Sequence, residues 1–286
     1  MDESVMQIFE ERQFNLSDFA LFLSVMKNPK AYRNVLSIIL EEPDIELAEV
    51  KVEQVILNKS GKRAIWLDAW ARSVDARVFN MEMENHAGND DVRKRSRFYQ
   101  GLLDSPILKS GKETKYKHLP STAIIFITQE DIFGRDLAKY TFTEQCEEIA
   151  DLKLEDGTMK IFLNMTSKNG TPELVSMLQY MKETRIDNPE ITVKDARILE
   201  LDEIVNEVKE SEEWEAVKMN ILEIGIEHGK KQGLEQGIAE GARKKLEDLV
   251  KKKLDKGLSM EAIADMLEEE IDTIRAIVKK LDGKDN

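Results

Sequence analysis

The sequence predicts an α/β fold followed by an all-helical C-terminal extension. Apolar residues recur with a period of two between about residues 50 and 84, which is typical of strands. Residues 122–128 form a continuous apolar run that suits a strand buried on both faces. Beyond about residue 195 the apolar spacing is helical and no proline interrupts it. These patterns predict a sheet-containing domain and then helices alone.

Local patterns place the first elements of this domain. Two helices open it, one over about residues 15–26 and one after Pro29. Three strands follow at about residues 50–57, 64–71 and 78–84. Because only a short polar turn joins the last two strands, we expect them to form a hairpin.

The second half of the domain is predicted from turn and capping signals. Residues 91–108 are expected to form a basic helix, and Thr171-Pro172 should begin another helix. The pair Asp156-Gly157 predicts a second hairpin, between residues 152–154 and residues 161–163.

The turn-like stretch of residues 187–190, which contains Pro189, marks the predicted domain boundary. A chain of 286 residues is long enough for one sizeable domain and a smaller one. We therefore expect a domain over residues 1–188 and a helical region over residues 189–286.

Composition excludes several classes of protein. The net charge of −14 argues against binding of nucleic acid through bulk positive charge, so any such site must be a local basic patch. The single cysteine, Cys146, leaves no internal disulfide and no zinc site built on cysteines. No apolar run reaches the ~18 residues of a membrane span, and the N-terminus lacks a secretory pattern. We expect a cytoplasmic protein whose chemistry rests on carboxylates.

The predicted hairpin brings three carboxylates into one region. Asp68 lies on one strand between Trp66 and Trp70, and Glu82 and Glu84 share one face of the next strand. Carboxylates so close raise each other's pKa unless a cation lies among them. Mg²⁺ held by carboxylates and water meets that need, and it activates water for phosphodiester hydrolysis. The alternative is a strand that exposes these residues to solvent.

The helix after the hairpin reverses the local charge. Residues 91–118 hold eight Lys or Arg against three Asp or Glu. Contact with phosphate groups is one interpretation, and a solvated helix face that balances nearby acidic residues is the other. Arg95 and Tyr99 lie one helical turn apart on the same face.

Glycines recur every fourth residue in the C-terminal region, at positions 225, 229, 233, 237 and 241. Each costs a helix about 1 kcal/mol relative to alanine, so a helix here requires a compensating contact. Close approach of another helix supplies one, which predicts a homo-oligomer through the C-terminal helices; a flexible connector is the alternative. Two short amphipathic helices after Ser259 form a unit similar to helix-turn-helix, in which the acidic residues 268–270 favour association over DNA reading.

The order of these motifs resembles the PD-(D/E)XK nuclease superfamily, and more narrowly the PD-(D/E)XK nuclease family transposases, or recombination-promoting nucleases. In the superfamily, an Asp-bearing strand is followed by a short turn and by Glu-x-Lys or Glu-x-Gln on the next strand. The resemblance covers about residues 14–185. It is carried by residues 16–19, 67–71, 79–84, 94–100, 111–116, 125–128, 131–134 and 156–157.

The resemblance implies a restriction-endonuclease-like fold, in which helices flank a mixed central sheet. It also implies a DNA endonuclease that hydrolyses phosphodiester bonds and promotes recombination, with Mg²⁺ or Mn²⁺ as cofactor and DNA as partner. Asp68 and Glu82 would hold the metal ion, and with Glu84 they would form the catalytic set. Contacts to DNA and support of the site would come from Arg93, Lys94, Arg95, Arg97 and Tyr99.

Glu84 departs from the family pattern, since the family usually has Gln at this position and the wider superfamily has Lys. A lysine would orient water and offset negative charge, whereas Glu84 supplies no positive charge. Two interpretations stay open. Either Glu84 binds a second metal ion, or the nuclease core has decayed and the protein binds DNA or oligomerises without cutting.

Overall fold

In the computed structural model, which describes residues 12–56, 65–85, 91–105, 107 and 115–282, six strands form one mixed sheet. They are β1 (Leu47–Ile56), β2 (Ile65–Ser73), β3 (Val78–Glu84), β4 (Thr122–Thr128), β5 (Lys139–Phe142) and β6 (Thr158–Asn164). Their order is β1-β2-β3-β4-β6-β5. Strands β3, β4 and β6 run parallel, and the β1–β2, β2–β3 and β5–β6 pairs are antiparallel. The α/β class expected from the sequence is therefore present.

Helices flank this sheet. They are α1 (Phe19–Met26), α2 (Pro29–Leu40), α3 (Val92–Asp104), α4 (Pro172–Lys182) and α5 (Ala196–Lys209), and a 3-10 turn at Tyr116–His118 precedes β4. The buried face of α3, which includes Tyr99, packs on Ile124 and Phe126 of β4. Because successive side chains of a strand point to opposite faces of the sheet, every second side chain of these strands points away from α3. On that side Leu40 of α2 and Phe79 of β3 line the same cavity, and α4 and α5 pack on α2.

Capping residues set where two of the helices begin. The side chain of Asn28 accepts hydrogen bonds from the backbone at the start of α2, where Pro29 takes the first helical position. Asp91 accepts the N–H groups of Arg93 and Lys94 at the start of α3 in the same way. Helix α3 therefore starts a few residues after β3 ends, which brings its first turn close to the carboxylates of that strand.

Two features after β4 differ from the prediction. Residues 152–154 do not pair with residues 161–163, because Lys153 bridges Gln145 instead and β6 lies between β4 and β5. Gly157, with φ of 81°, turns the chain into β6, and its carbonyl accepts the Thr122 N–H at 2.8 Å. Strand β5 was not predicted, because four residues are too few for a period of two to be recognised.

The described chain divides into two compact units between Val217 and Lys218. The predicted boundary at residue 188 therefore lies inside the first unit. Helix α5 belongs to that unit because the side chain of Asn34 on α2 donates to the carbonyl of Arg197 at 3.3 Å and to Glu200 at 2.9 Å.

The C-terminal region is helical, as expected. Helix α6 (Glu212–Leu254) is followed by α7 (Met260–Leu267) and α8 (Ile271–Asp282). Ser259 caps α7, as predicted, by accepting the Ala262 N–H at 3.3 Å. The repeated glycines lie within α6, which excludes the flexible connector. Val250, Ile263, Ile274 and Ile277 belong to the buried core of this second unit. Among the helices described, not one combines the length and apolar character needed to cross a membrane.

Candidate functional site

The carboxylates of Asp68 and Glu82 meet where the backbones of β2 and β3 stop pairing. The backbone register of the two strands reaches Ala69 opposite Met81. Beyond it, Glu82 Oε1 accepts the Asp68 N–H at 3.1 Å, and Asp68 Oδ2 accepts the Met83 N–H at 3.0 Å. Each carboxylate thus accepts a backbone N–H of the opposite strand, in the place of a backbone carbonyl oxygen. These two hydrogen bonds fix the positions of both carboxylates.

Strand β3 is buried on both faces. Its first six residues are buried, and the side chain of Glu82 is 1% exposed. Asn80, on the same face, donates from Nδ2 to Glu82 Oε1 at 2.8 Å. The solvent-exposed strand, which the sequence left open as an alternative, is therefore excluded.

Burial makes the two carboxylates weak acids. It raises the pKa of Asp68 to about 8, and the negative charge of Glu82 contributes to the increase. Burial also raises the pKa of Glu82, although the hydrogen bonds from Asn80 and from the Asp68 N–H oppose this effect. The pair therefore resists full ionisation, and a cation beside it would lower both pKa values.

Arg95 brings a positive charge to these carboxylates. Its Nη1 donates to Glu84 Oε2 at 2.6 Å, and its Nη2 donates to Glu82 Oε2 at 3.1 Å. The guanidinium carbon lies 5.5 Å from the ring centre of Tyr99 and 4.9 Å from that of Phe126. Burial lowers the pKa of Arg95, but its interactions with Tyr99, Glu82 and Glu84 outweigh this and leave the pKa raised. Arg95 is therefore charged and neutralises part of the cluster.

Two further residues support the site and were not predicted to do so. Asn80 holds Glu82, and the period of two in β3 could have identified it, since it shares the face of Glu82. The hydroxyl of Tyr32 lies 3.3 Å from the carbonyl oxygens of both Ala69 and Phe79, beneath the two strands. Burial, and then the charge of Glu82, raises the pKa of Tyr32. No local pattern reveals Tyr32, because it lies on a distant helix.

The other basic residues of α3 are exposed. Arg93 Nε lies 3.0 Å from Asp91 Oδ1, and Lys94 Nζ lies 3.5 Å from Asp91 Oδ2. Arg97 is exposed and makes no ion pair with any residue that the structure describes. The structure therefore gathers Asp68, Glu82, Glu84, Arg95 and Tyr99 and leaves Arg93, Lys94 and Arg97 on the outer face of the helix. Two lysines of the predicted basic stretch, Lys109 and Lys112, lie outside the described residues.

The donor set at Asp68 and Glu82 suits a divalent cation. Mg²⁺ is commonly bound through one or two carboxylates, with water and substrate phosphate as the remaining ligands. Asp68 Oδ1 accepts no hydrogen bond from the described residues, whereas Glu82 Oε2 is paired with Arg95. Within the described ranges, no group of three or more His, Cys, Asp and Glu residues is arranged to hold a metal ion. A cation site here would therefore rest on two carboxylates.

A cavity of about 310 Å³ lies away from these carboxylates, at the amino ends of the parallel strands. Its lining includes Leu40 of α2, Phe79 of β3 and Met159 of β6. The side chains of Phe79 and Met159 lie on the face of the sheet that points away from α3. The carboxylate cluster and this cavity are therefore separate features of the sheet.

No family model, curated protein or solved structure matches the chain. The assignment of a function consequently depends on the geometry of the carboxylates and on the motifs of the sequence.

Proposed function

We propose that the chain is a metal-dependent DNA endonuclease that hydrolyses phosphodiester bonds. In this proposal its sheet has the restriction-endonuclease-like fold of the recombination-promoting nucleases, which its motifs resemble. The observation that carries the proposal is the pairing of the half-buried Asp68 with the buried Glu82 on adjacent strands. Burial of two carboxylates opposes their ionisation, and such strained pairs are found at functional sites more often than elsewhere.

Different residues of the chain would have different roles at such a site. Mg²⁺ bound here would lower the pKa of a bound water and place positive charge beside the phosphate. Asp68 and Glu82 would hold the ion, since hydrogen bonds across β2 and β3 fix both side chains. Arg95 would supply the positive charge that Glu84 lacks, and Glu84 would position Arg95 through its 2.6 Å contact.

The outer face of α3 would contact the DNA backbone. Arg93, Lys94 and Arg97 are exposed on the helix that carries Arg95 inward. The ion pairs of Arg93 and Lys94 with Asp91 are exposed and hence weak, so phosphate groups compete with them easily. Contacts of this kind orient DNA without reading its sequence.

A second candidate is a protein of the same fold that binds DNA without cutting it. The observation in its favour is the pairing of Arg95 with both Glu82 and Glu84. This pairing satisfies the carboxylates in the absence of any metal ion, as expected for a decayed catalytic site.

Cleavage of supercoiled plasmid by the full chain separates the two candidates. We expect nicking or linearisation with Mg²⁺ or Mn²⁺ and none with EDTA. Asp68→Asn and Glu82→Gln should each lower the rate by more than about 100-fold, since changes around metal sites reach that size even outside the ligands. Glu207→Gln is the matched control, because Glu207 is exposed on α5. Folded protein that binds DNA but cuts with neither metal would favour the second candidate.

A further inference from the structure

We propose that the guanidinium of Arg95 takes the place of a second metal ion, so that the carboxylate cluster holds one divalent ion and not two. Because it concerns the cation site of Asp68 and Glu82, this role of Arg95 rests on the proposed function. Glu84 then holds Arg95 in position and is not a metal ligand of the native chain.

Glu82 has room for one bond to a metal ion. A carboxylate offers about four lone-pair sites, two on each oxygen. Glu82 Oε1 accepts the Asp68 N–H at 3.1 Å and Asn80 Nδ2 at 2.8 Å, which uses both of its sites. Glu82 Oε2 accepts Arg95 Nη2 at 3.1 Å and no other donor of the described residues. One lone pair of Oε2 therefore remains for an ion shared with Asp68, and Arg95 occupies the lone pair that a second ion would need.

The charges of the cluster balance when one divalent ion is bound. In their ionised forms Asp68, Glu82 and Glu84 carry three negative charges, and Arg95 carries one positive charge. One divalent ion adds the two positive charges that are missing. A second ion beside Arg95 would leave an excess of two positive charges around Glu82, which is 1% exposed, and unbalanced charge is costly in such surroundings.

Contacts with an acidic and an aromatic side chain hold Arg95 where it is. Nη1 donates to Glu84 Oε2 at 2.6 Å, and the guanidinium carbon lies 4.9 Å from the ring centre of Phe126. The side chain of Arg95 is 22% exposed, and its buried Nε has no acceptor among the described residues. The guanidinium is therefore placed by its charge and its ring contact, and it provides a fixed positive charge in the site.

The position of Glu84 shows which oxygens a second ion would use. Glu84 and Glu82 lie two residues apart on one face of β3, and their Oε2 atoms bind the two Nη atoms of one guanidinium. An ion that bridges the two carboxylates would use the same oxygens. Loss of Arg95 therefore leaves two carboxylate oxygens without the guanidinium that joins them, and carboxylate oxygens are suitable ligands for a divalent ion.

The number of Mn²⁺ ions bound by the full chain tests this role of Arg95. Electron paramagnetic resonance should show one bound ion on the wild type and two on Arg95→Gln. Two ions that share Glu82 would lie about 4 Å apart, as in two-metal sites, so their spins couple and the spectrum of the bound ions changes. Glu84→Gln should bind one ion. The double variant should also bind one, because the second ion loses a ligand.

Two controls accompany the count. Lys182→Gln removes a positive charge from an exposed position on α4 and should bind one ion, as the wild type does. Circular dichroism at the temperature of the titration shows whether each variant is folded, since loss of Arg95 destabilises the chain. If Arg95→Gln does not fold, the wild type and Glu84→Gln still decide, because each is expected to bind one ion.

Any of three results would overturn the role of Arg95. The first is a folded Arg95→Gln chain that binds only one ion, since the vacated position would then not accept a cation. The second is a wild-type chain that binds two coupled ions. The third is a Glu84→Gln chain that binds none, because Glu84 would then be a ligand of the first ion.

The ion count and the cleavage of plasmid can fail separately. A chain with the expected counts that cuts no plasmid would retain the role of Arg95 and refute the nuclease. A chain that cuts plasmid with Mn²⁺, but whose folded Arg95→Gln variant binds one ion, would retain the nuclease and refute the role of Arg95. A wild-type chain that binds no ion would refute both.

Discussion

At the scale of residues, hydrogen bonds distinguish Glu82 from Asp68. Glu82 accepts from the Asp68 N–H, from Asn80 and from Arg95, whereas among the described residues Asp68 accepts only from the Met83 N–H. Donors to a carboxylate favour its charged form. The hydrogen bonds to Glu82 therefore oppose the rise that burial causes in its pKa, while burial and the charge of Glu82 raise the pKa of Asp68.

The raised pKa of Asp68 predicts that stability decreases as the pH increases. Its ordinary value is 3.8, and its value in the folded chain is about 8. Between these values the folded state retains a proton that the unfolded state has released, so the free energy of unfolding falls as the pH rises through this window. Urea unfolding at pH 5 and pH 8 in EDTA should show the decline, and Asp68→Asn should reduce it. Equal pH dependence in the two proteins would contradict the assignment.

Loss of Arg95 should destabilise the fold. Arg95→Gln leaves the buried carboxylate of Glu82 without its guanidinium partner, which should lower the free energy of unfolding by about 3 kcal/mol. The matched control is the exposed Arg97→Gln, which should change it by less than about 0.5 kcal/mol. Urea unfolding measures both, and equal stability of the two variants would show that the ion pair is unimportant.

At the scale of elements, α3 is proposed to present a basic face to DNA. Arg97→Glu should weaken DNA binding and lower the slope of log K against log salt by about one, as expected for a lost phosphate contact. Fluorescence anisotropy over a salt series in EDTA measures this without cleavage. Lys182→Glu on α4 makes the same charge change elsewhere and should have a smaller effect. Identical slopes for both variants would rule out α3 as the DNA-binding element.

The turn into β6 depends on a glycine. At Gly157 the φ of 81° is unfavourable for other residues, and a Cβ would lie 2.9 Å from Ser121 Oγ. Gly157→Ala should therefore lower the melting temperature, with a cost of more than about 1 kcal/mol. Gly101→Ala, on α3 with open space around it, should instead stabilise by roughly 0.5–1 kcal/mol. A stable Gly157→Ala chain would contradict the geometry of this turn.

Some elements were predictable from the sequence because their signal is local. The alternation of residues 78–84 and the apolar run of residues 122–128 coincide with β3 and β4. The pair Asp156-Gly157 does form a turn, and this turn leads into β6. The predicted hairpin is nevertheless wrong, because the segment before the turn pairs elsewhere, through a bridge between Lys153 and Gln145. Which strand lies beside β6 depends on long-range packing, which a turn signal does not contain.

At the scale of the whole molecule, the candidate site was only partly predictable. Period-two patterns placed Glu82 and Glu84 on one face, and helical spacing placed Arg95 on the face of Tyr99. The sequence did not reveal that Arg95 bridges the two glutamates, since this depends on how α3 crosses the sheet. The compact units divide at Val217, later than residue 188, and the packing of α5 on α2 that extends the first unit leaves no local pattern in the sequence.

The central claim is that Asp68 and Glu82 form a cation site. The most direct measurement is a titration of the full chain with Mn²⁺. Electron paramagnetic resonance detects binding as a loss of the signal of free Mn²⁺. We expect the wild type and Glu207→Gln to bind Mn²⁺ equally, and Asp68→Asn and Glu82→Gln to bind it at least about tenfold more weakly. A wild-type chain that binds no Mn²⁺, or variants that bind it unchanged, would contradict the claim.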